Sequence, residues 1–97
     1  MNKKHEEELI TVFMKAAGDK AFFKEFLSDM LTPAEMKEVV TRWQIVQRLA
    51  KGEPQRTIAK DLKIGIATVT RGSRALGNKN GGFAKMVKKM KIFMIYM

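Results

Sequence analysis

The four residues Thr32-Pro33-Ala34-Glu35 constrain this chain more than any other stretch, because they fix where its longest helix begins. A Thr followed three residues later by Glu is a capping box. The Thr32 hydroxyl accepts from the Glu35 amide, and the Glu35 carboxylate reaches back to the Thr32 amide. Pro33 falls at the first helical position, where its missing N–H costs nothing. Met36, Val39, Val40, Trp43, Val46, Leu49 and Ala50 follow at helical spacing, and Gly52 stops the run after Lys51. The result is a helix of about eighteen residues, roughly 27 Å long at 1.5 Å per residue.

The rest of the chain is punctuated in the same way. A first helix fits Glu6 to Ala17, with Leu9, Ile10, Phe13 and Met14 on one stripe and Gly18 as its stop. The residues before it, His5 included, read as a charged, frayed start. Glu6-Glu7-Glu8 favours the helix N-terminus through the dipole. Asp19 caps a second helix that runs to about Met30 and carries Phe22, Phe23, Phe26 and Leu27. Gly52-Glu53-Pro54 restarts the chain, with Pro54 at the first position of a short helix ending at Leu62. Lys63-Ile64-Gly65 makes a tight turn, and Ile66 to about Leu76 is the next helix. Gly77 to Gly82 is a loop, and Gly81 or Gly82 opens the last helix. In that helix Phe83, Met86, Val87 and Met90 are apolar, with Lys85, Lys88, Lys89 and Lys91 opposite. No run alternates apolar and polar residues, and no hairpin dipeptide joins two β-rich runs. The class is all-α, in a single domain over 1–97, because a chain this short has no room for a second core.

Charge narrows the function. Nineteen Lys+Arg against ten Asp+Glu give a net +9, unevenly placed. Residues 1–35 hold five Lys and seven acids, a net of −2, while residues 36–97 hold fourteen Lys+Arg and three acids, a net of +11. After Asp61 there are eight cations and no acid. A polyanionic partner for the C-terminal two-thirds is the natural reading; a solvated basic face and a membrane-surface helix remain open. Absence of Cys and a single His leave no disulfide, no Cys-based zinc site and no thiol enzyme, and no metal site is expected. No nucleophile with a base, His/acid pair or phosphate loop can be assembled, so no enzyme is expected. No uncharged apolar run approaches the ~18 residues that span a bilayer. The acidic N-terminus is unlike a signal peptide. The expectation is a cytoplasmic protein without a membrane partner.

The stretch Gln55 to Arg71 has helix-turn-helix spacing. Ile58 and Leu62 lie four apart on the first helix, and Ala59 is small where the two helices must cross closely. Ile64 plugs the turn, while Ile66 and Val69 face inward from the second helix. Ala67, Thr68, Thr70, Arg71 and Arg74 then face outward. Small residues let the backbone approach base edges, and Thr hydroxyls and Arg guanidinium groups supply donors. The unit spans 55–76, and its candidates for DNA contact are Gln55, Arg56, Ile66, Ala67, Thr68, Thr70, Arg71 and Arg74. An ordinary αα-hairpin with a basic surface shares the spacing. Lys63 falls where a positive φ is needed, at a cost of about 1 kcal/mol.

Met30-Leu31-Thr32-Pro33-Ala34-Glu35, then Thr41-Arg42, then Ile66-Ala67-Thr68-Val69-Thr70-Arg71-Gly72-Ser73 resemble the tryptophan repressor family, over roughly Phe26 to Leu76. The block ending in Arg-Gly-Ser is the specific part. That family is itself a standard example of helix-turn-helix docking in the major groove, with many base contacts carried by water. The resemblance implies a six-helix fold in an intertwined homodimer, with a dimer core of 6–51 and 82–92 and two projecting heads. It implies double-stranded operator DNA as partner and L-tryptophan as corepressor, in control of tryptophan biosynthesis genes, with no other cofactor. Arg42 and Arg71 would flank the indole, and Arg71 would also pair with the carboxylate. Thr32 and Thr68 would line the site, and Gly72 would leave room for the ring. The carbonyls of Asp29 and Leu31 would receive the ammonium.

The chain departs from the family in three places. Ala75 stands where the family has a Ser whose hydroxyl helps hold the ammonium, a loss of about 1–3 kcal/mol of ligand affinity. The link Gly52-Glu53-Pro54 is one residue shorter. The loop Gly77 to Gly82 and the tail Ile92 to Met97 have no counterpart. Relatives of unknown ligand also carry Gly-Asn after the recognition helix, as Gly77-Asn78 does here. Two other functions therefore stand beside the first. One is a repressor-like regulator with a different effector or none. The other is a structural or membrane-surface protein using the basic last helix and the apolar tail. Trp43 reads as a core or dimer residue, the Met residues as gap-fillers, and the tail as packing on a partner subunit.

Overall fold

The computed structural model describes residues 2–92. Among them lie six helices and no strand: α1 (Lys3–Ala16), α2 (Lys20–Met30), α3 (Pro33–Ala50), α4 (Gln55–Leu62), α5 (Ile66–Gly77) and α6 (Gly82–Met90). The all-α expectation holds. Of the apolar tail, Phe93 to Met97 lie outside the described residues.

Most boundaries have a local cause. The Thr32 hydroxyl accepts from the Glu35 amide at 3.1 Å, and the Glu35 carboxylate accepts from the Thr32 amide at 2.9 Å. The amide of Thr32, and after it the hydroxyl, holds the Glu35 carboxyl below its ordinary range. The Asp19 side chain accepts from the Phe22 amide at 3.1 Å and opens α2. Gly52 ends α3 with a φ of 87°, and Lys63 ends α4 with a φ of 56°, the left-handed conformation its position calls for.

Two starts differ from the sequence expectation. α1 begins at Lys3, three residues early, because Asn2 caps it. The Asn2 side chain accepts from the Lys4 amide at 2.8 Å, and the His5 and Glu6 amides reach its carbonyl. The charged start, His5 included, is therefore helical. Pro54 lies just before α4 in an extended conformation rather than at its first helical position.

The chain forms two compact units, residues 1–37 and 38–97. In the first, the ring of Phe13 meets Phe23 and Phe26 edge-on, with centroids 6.0 and 5.6 Å apart. Ala16 is the one buried residue of α1, and α2 has none. Leu9, Ile10, Val12, Met14, Phe22 and Met30 are 39–71% exposed.

In the second unit, adjacent residues of α3 serve two cores, since successive side chains point ~100° apart around a helix of 3.6 residues per turn. Ile45 packs with Ile58, Ala59 and Val69, bordered by Leu49, Leu62 and Ile64. Val46 packs with Val87 and Ile92, bordered by Trp43, Ala50, Leu76 and Phe83. Trp43 lies 6.5 Å from the Phe83 ring and so belongs to this second core.

Candidate nucleic-acid interface and ligand site

Two short helices joined by Lys63-Ile64-Gly65 form the candidate DNA-binding element. Ile58 and Val69 are fully buried between them, Ala59 is 9% exposed, and Ile64 packs against the same cluster. The turn closes when the Ile64 amide donates to the Ala59 carbonyl at 3.0 Å. With Val69 as the inward anchor of α5, Ala67, Thr68, Arg71 and Arg74 are exposed, as is Arg56 on α4.

Two residues of α5 sit differently from expectation. Ile66 does not face inward with Val69: it is 48% exposed. As the first residue of α5 its Cβ tilts back toward the turn, beyond the core cluster. Thr70 is half-buried rather than outward. Its hydroxyl lies 2.8 Å from the Gln55 side-chain oxygen and 3.0 Å from the Ile66 carbonyl. A hydroxyl has one proton, and here that proton is engaged within the protein. Thr70 and half-buried Gln55 thereby tie the first residue of α4 to α5, leaving the Thr70 oxygen as an acceptor.

Gly72 does a packing job of its own. A Cβ there would lie 2.9 Å from Ile45 Cγ2, so α5 presses against α3 at this point. Ile45 is 2% exposed and β-branched, so its methyl cannot swing away. Gly72→Ala should therefore lose more through overpacking, about 1–3 kcal/mol, than the roughly 1 kcal/mol gained in helix propensity. Gly77→Ala meets nothing within 4 Å and should not destabilise. Urea unfolding of the two variants checks the contrast, and equal midpoints would refute it.

Arg48 was not singled out by the sequence. Its Nε and Nη2 donate to Glu53 Oε1 at 2.8 and 2.6 Å, and Nη2 donates to Asp61 Oδ2 at 2.6 Å. One guanidinium thus joins the end of α3, the shortened link and α4. The hydrogen bond from Arg48 holds the Glu53 carboxyl below its ordinary range, and both carboxylates drive the guanidinium pKa further up.

The candidate ligand residues fall in both units. In the second, Arg42 is exposed and makes only a loose pair with Glu38 at 4.0 Å, one helical turn away. Arg71 is exposed, with no ion pair among the described residues. Thr68 is exposed, its amide donating to the Gly65 carbonyl at 3.1 Å. Ala75 lines an open apolar groove of about 560 Å³ together with Trp43, Phe83 and Met86.

In the first unit the capping box has a further effect. The Thr32 amide is taken by Glu35, Pro33 has no N–H, and the Glu35 amide is taken by Thr32. The carbonyls of Asp29 and Leu31 therefore receive no backbone donor among the described residues. They stand at the negative end of α2, where a cation is favoured.

No cluster of His, Asp or Glu among the described residues could hold a metal ion, and no described helix is long and apolar enough to cross a membrane. The element order and the Ile66–Ser73 block define a small all-helical protein of the repressor type, and comparison agrees. The profile of the Trp repressor protein family matches residues 5–91, and the chain belongs to that family. The Trp operon repressor homolog of Chlamydia trachomatis serovar L2 is 34% identical over 84 residues, covering 86% of this chain and 88% of that protein. The homolog of Vibrio campbellii is 36% identical over 72 residues, covering 73% and 72%. That of Actinobacillus succinogenes is 45% identical over 67 residues, covering 68% and 66%. The family match takes in α1 and α6 as well as the Phe26 to Leu76 stretch that carries the resemblance.

Proposed function

We propose that this protein is a transcriptional repressor that binds operator DNA as an intertwined homodimer, with L-tryptophan as corepressor and tryptophan biosynthesis genes as targets. The role is regulatory, with no catalytic step. The observation that carries it is Arg71: an exposed guanidinium with no ion pair among the described residues, on a helix anchored inward by buried Val69 and packed close at Gly72. An uncommitted cation on a helix packed this firmly can face a ligand carboxylate and still lie beside DNA.

The other roles follow from exposure and chemistry. Arg42 supplies a second planar cation for the indole, Thr32 and Thr68 line the site, and the free carbonyls of Asp29 and Leu31 receive the ammonium. Arg56, Ile66, Ala67, Thr68, Arg71 and Arg74 meet DNA directly. Gln55 and Thr70 contribute as a hydrogen-bonded pair. The region 55–76 is the reading head, and 6–51 with 82–92 is the dimer core. The relatives' printed names, Trp operon repressor homolog, support this reading.

Ala75 favours a second reading, a repressor with another effector or none. Calorimetry with L-tryptophan separates the two. Arg42→Ala should weaken tryptophan binding and leave nonspecific DNA binding nearly intact. Ala75→Ser should tighten tryptophan binding about 5- to 150-fold, from the ~1–3 kcal/mol of a restored hydrogen bond. Unchanged binding in both variants would place the pocket elsewhere. No binding by either the parent or Ala75→Ser would leave the second reading standing.

A further inference from the structure

The apolar side of α6 is partly occupied within its own unit. Val87 is 6% exposed and packs with Val46 and Ile92, while Phe83 borders the same cluster. The opposite side is cationic. Lys85, Lys88 and Lys89 stand at i, i+3 and i+4 and so share one face. Lys91 follows as the left-handed C-cap, and Lys79 lies in the preceding loop. All five are exposed, and none has an ion pair among the described residues. Like charges at this spacing repel, and no acid after Asp61 offsets them.

A surface of closely spaced negative charge relieves that repulsion. Duplex DNA offers one phosphate charge per ~1.7 Å of axis. A bilayer is a poorer fit, because an interfacial helix must turn its apolar face to the lipid. Here Val87 and Phe83 are turned into the protein, leaving Met86 and Met90, 45% and 50% exposed, as the apolar area such a helix could offer. We propose that α6, together with Lys79, is a second phosphate-binding surface, which grips duplex backbone without reading sequence and adds to the contacts of α4 and α5. The proposal rests on the chain being a DNA-binding protein.

The test uses the full chain with Lys85→Gln, Lys88→Gln and Lys89→Gln combined. A control combines Lys4→Gln, Lys20→Gln and Lys24→Gln, which removes the same charge from α1 and α2. Affinity for a random-sequence duplex is measured between 50 and 200 mM salt. The α6 variant should show a log–log salt slope shallower by about 2–3 for each protomer whose α6 meets the duplex, at roughly 0.9 per phosphate contact, and the control should keep the parent's slope. Equal flattening in both variants would reduce the effect to net charge and overturn the proposal. An unchanged slope in the α6 variant would also overturn it. If that unchanged slope came with lost flotation on phosphatidylserine vesicles, the surface would be a lipid contact instead. A parent that binds no duplex at 50 mM salt would remove the DNA-binding reading itself, whereas a parent that binds with an α6 variant of equal slope removes only this surface.

Discussion

Ile10→Glu will abolish the folded assembly, although within the single chain the substitution should be harmless. Ile10 is 59% exposed and Met14 is 71% exposed. Surface substitutions at such positions usually stay within about 0.5 kcal/mol. Apolar stripes this open are not what a stable monomer shows, and a chain this small needs them buried. If two protomers cover each other's α1 and α2, a glutamate at position 10 becomes a buried, unpaired charge. That costs several kcal/mol, against a total stability on the order of 5–15 kcal/mol. The parent should sediment at twice 11.1 kDa, about 22 kDa. A folded monomer of the parent at micromolar concentration would contradict this, as would an Ile10→Glu variant that sediments and melts like the parent.

The second large effect is electrostatic. If residues 36–97, with fourteen cations against three acids, are the DNA-binding part of the chain, phosphate contacts should dominate the affinity. Six to ten such contacts give log–log salt slopes of about −5 to −9, an affinity loss on the order of 10³ to 10⁵ between 50 and 200 mM salt. Binding that stays flat across that range would exclude the cationic surface as the DNA contact.

Local signals were legible in the sequence, and contacts between distant residues were not. The capping box at Thr32, the Asp19 cap and the Gly52 stop each act within four residues, so their patterns could be read directly. Lys63 could be placed in the left-handed region because it falls at the position of the tight turn that calls for a positive φ. Asn2 is also a local cap, but the residues from Lys3 to Glu8 behind it include no apolar position to mark a helix stripe. The Arg48 clasp joins positions 5 and 13 residues apart across a turn, which helical spacing does not encode. Gly72 touches Ile45 across two helices, so its packing role is hidden behind the family role of making room for a ligand. Thr70 counts as outward by periodicity, yet a neighbouring helix supplies Gln55 to receive its proton. The ligand residues came from family resemblance. The structure adds that Arg42, Thr68 and Arg71 are exposed and that the capping box leaves two carbonyls free.

The most direct test of a tryptophan-gated repressor is its affinity for one duplex, selected from a random pool in the presence of L-tryptophan and then measured at fixed salt with and without the amino acid. A corepressor that favours the DNA-binding conformation should raise that affinity about 5- to 150-fold, the usual coupling of 1–3 kcal/mol, while leaving affinity for unselected duplex nearly unchanged. Equal affinity for the selected duplex with and without L-tryptophan would contradict it.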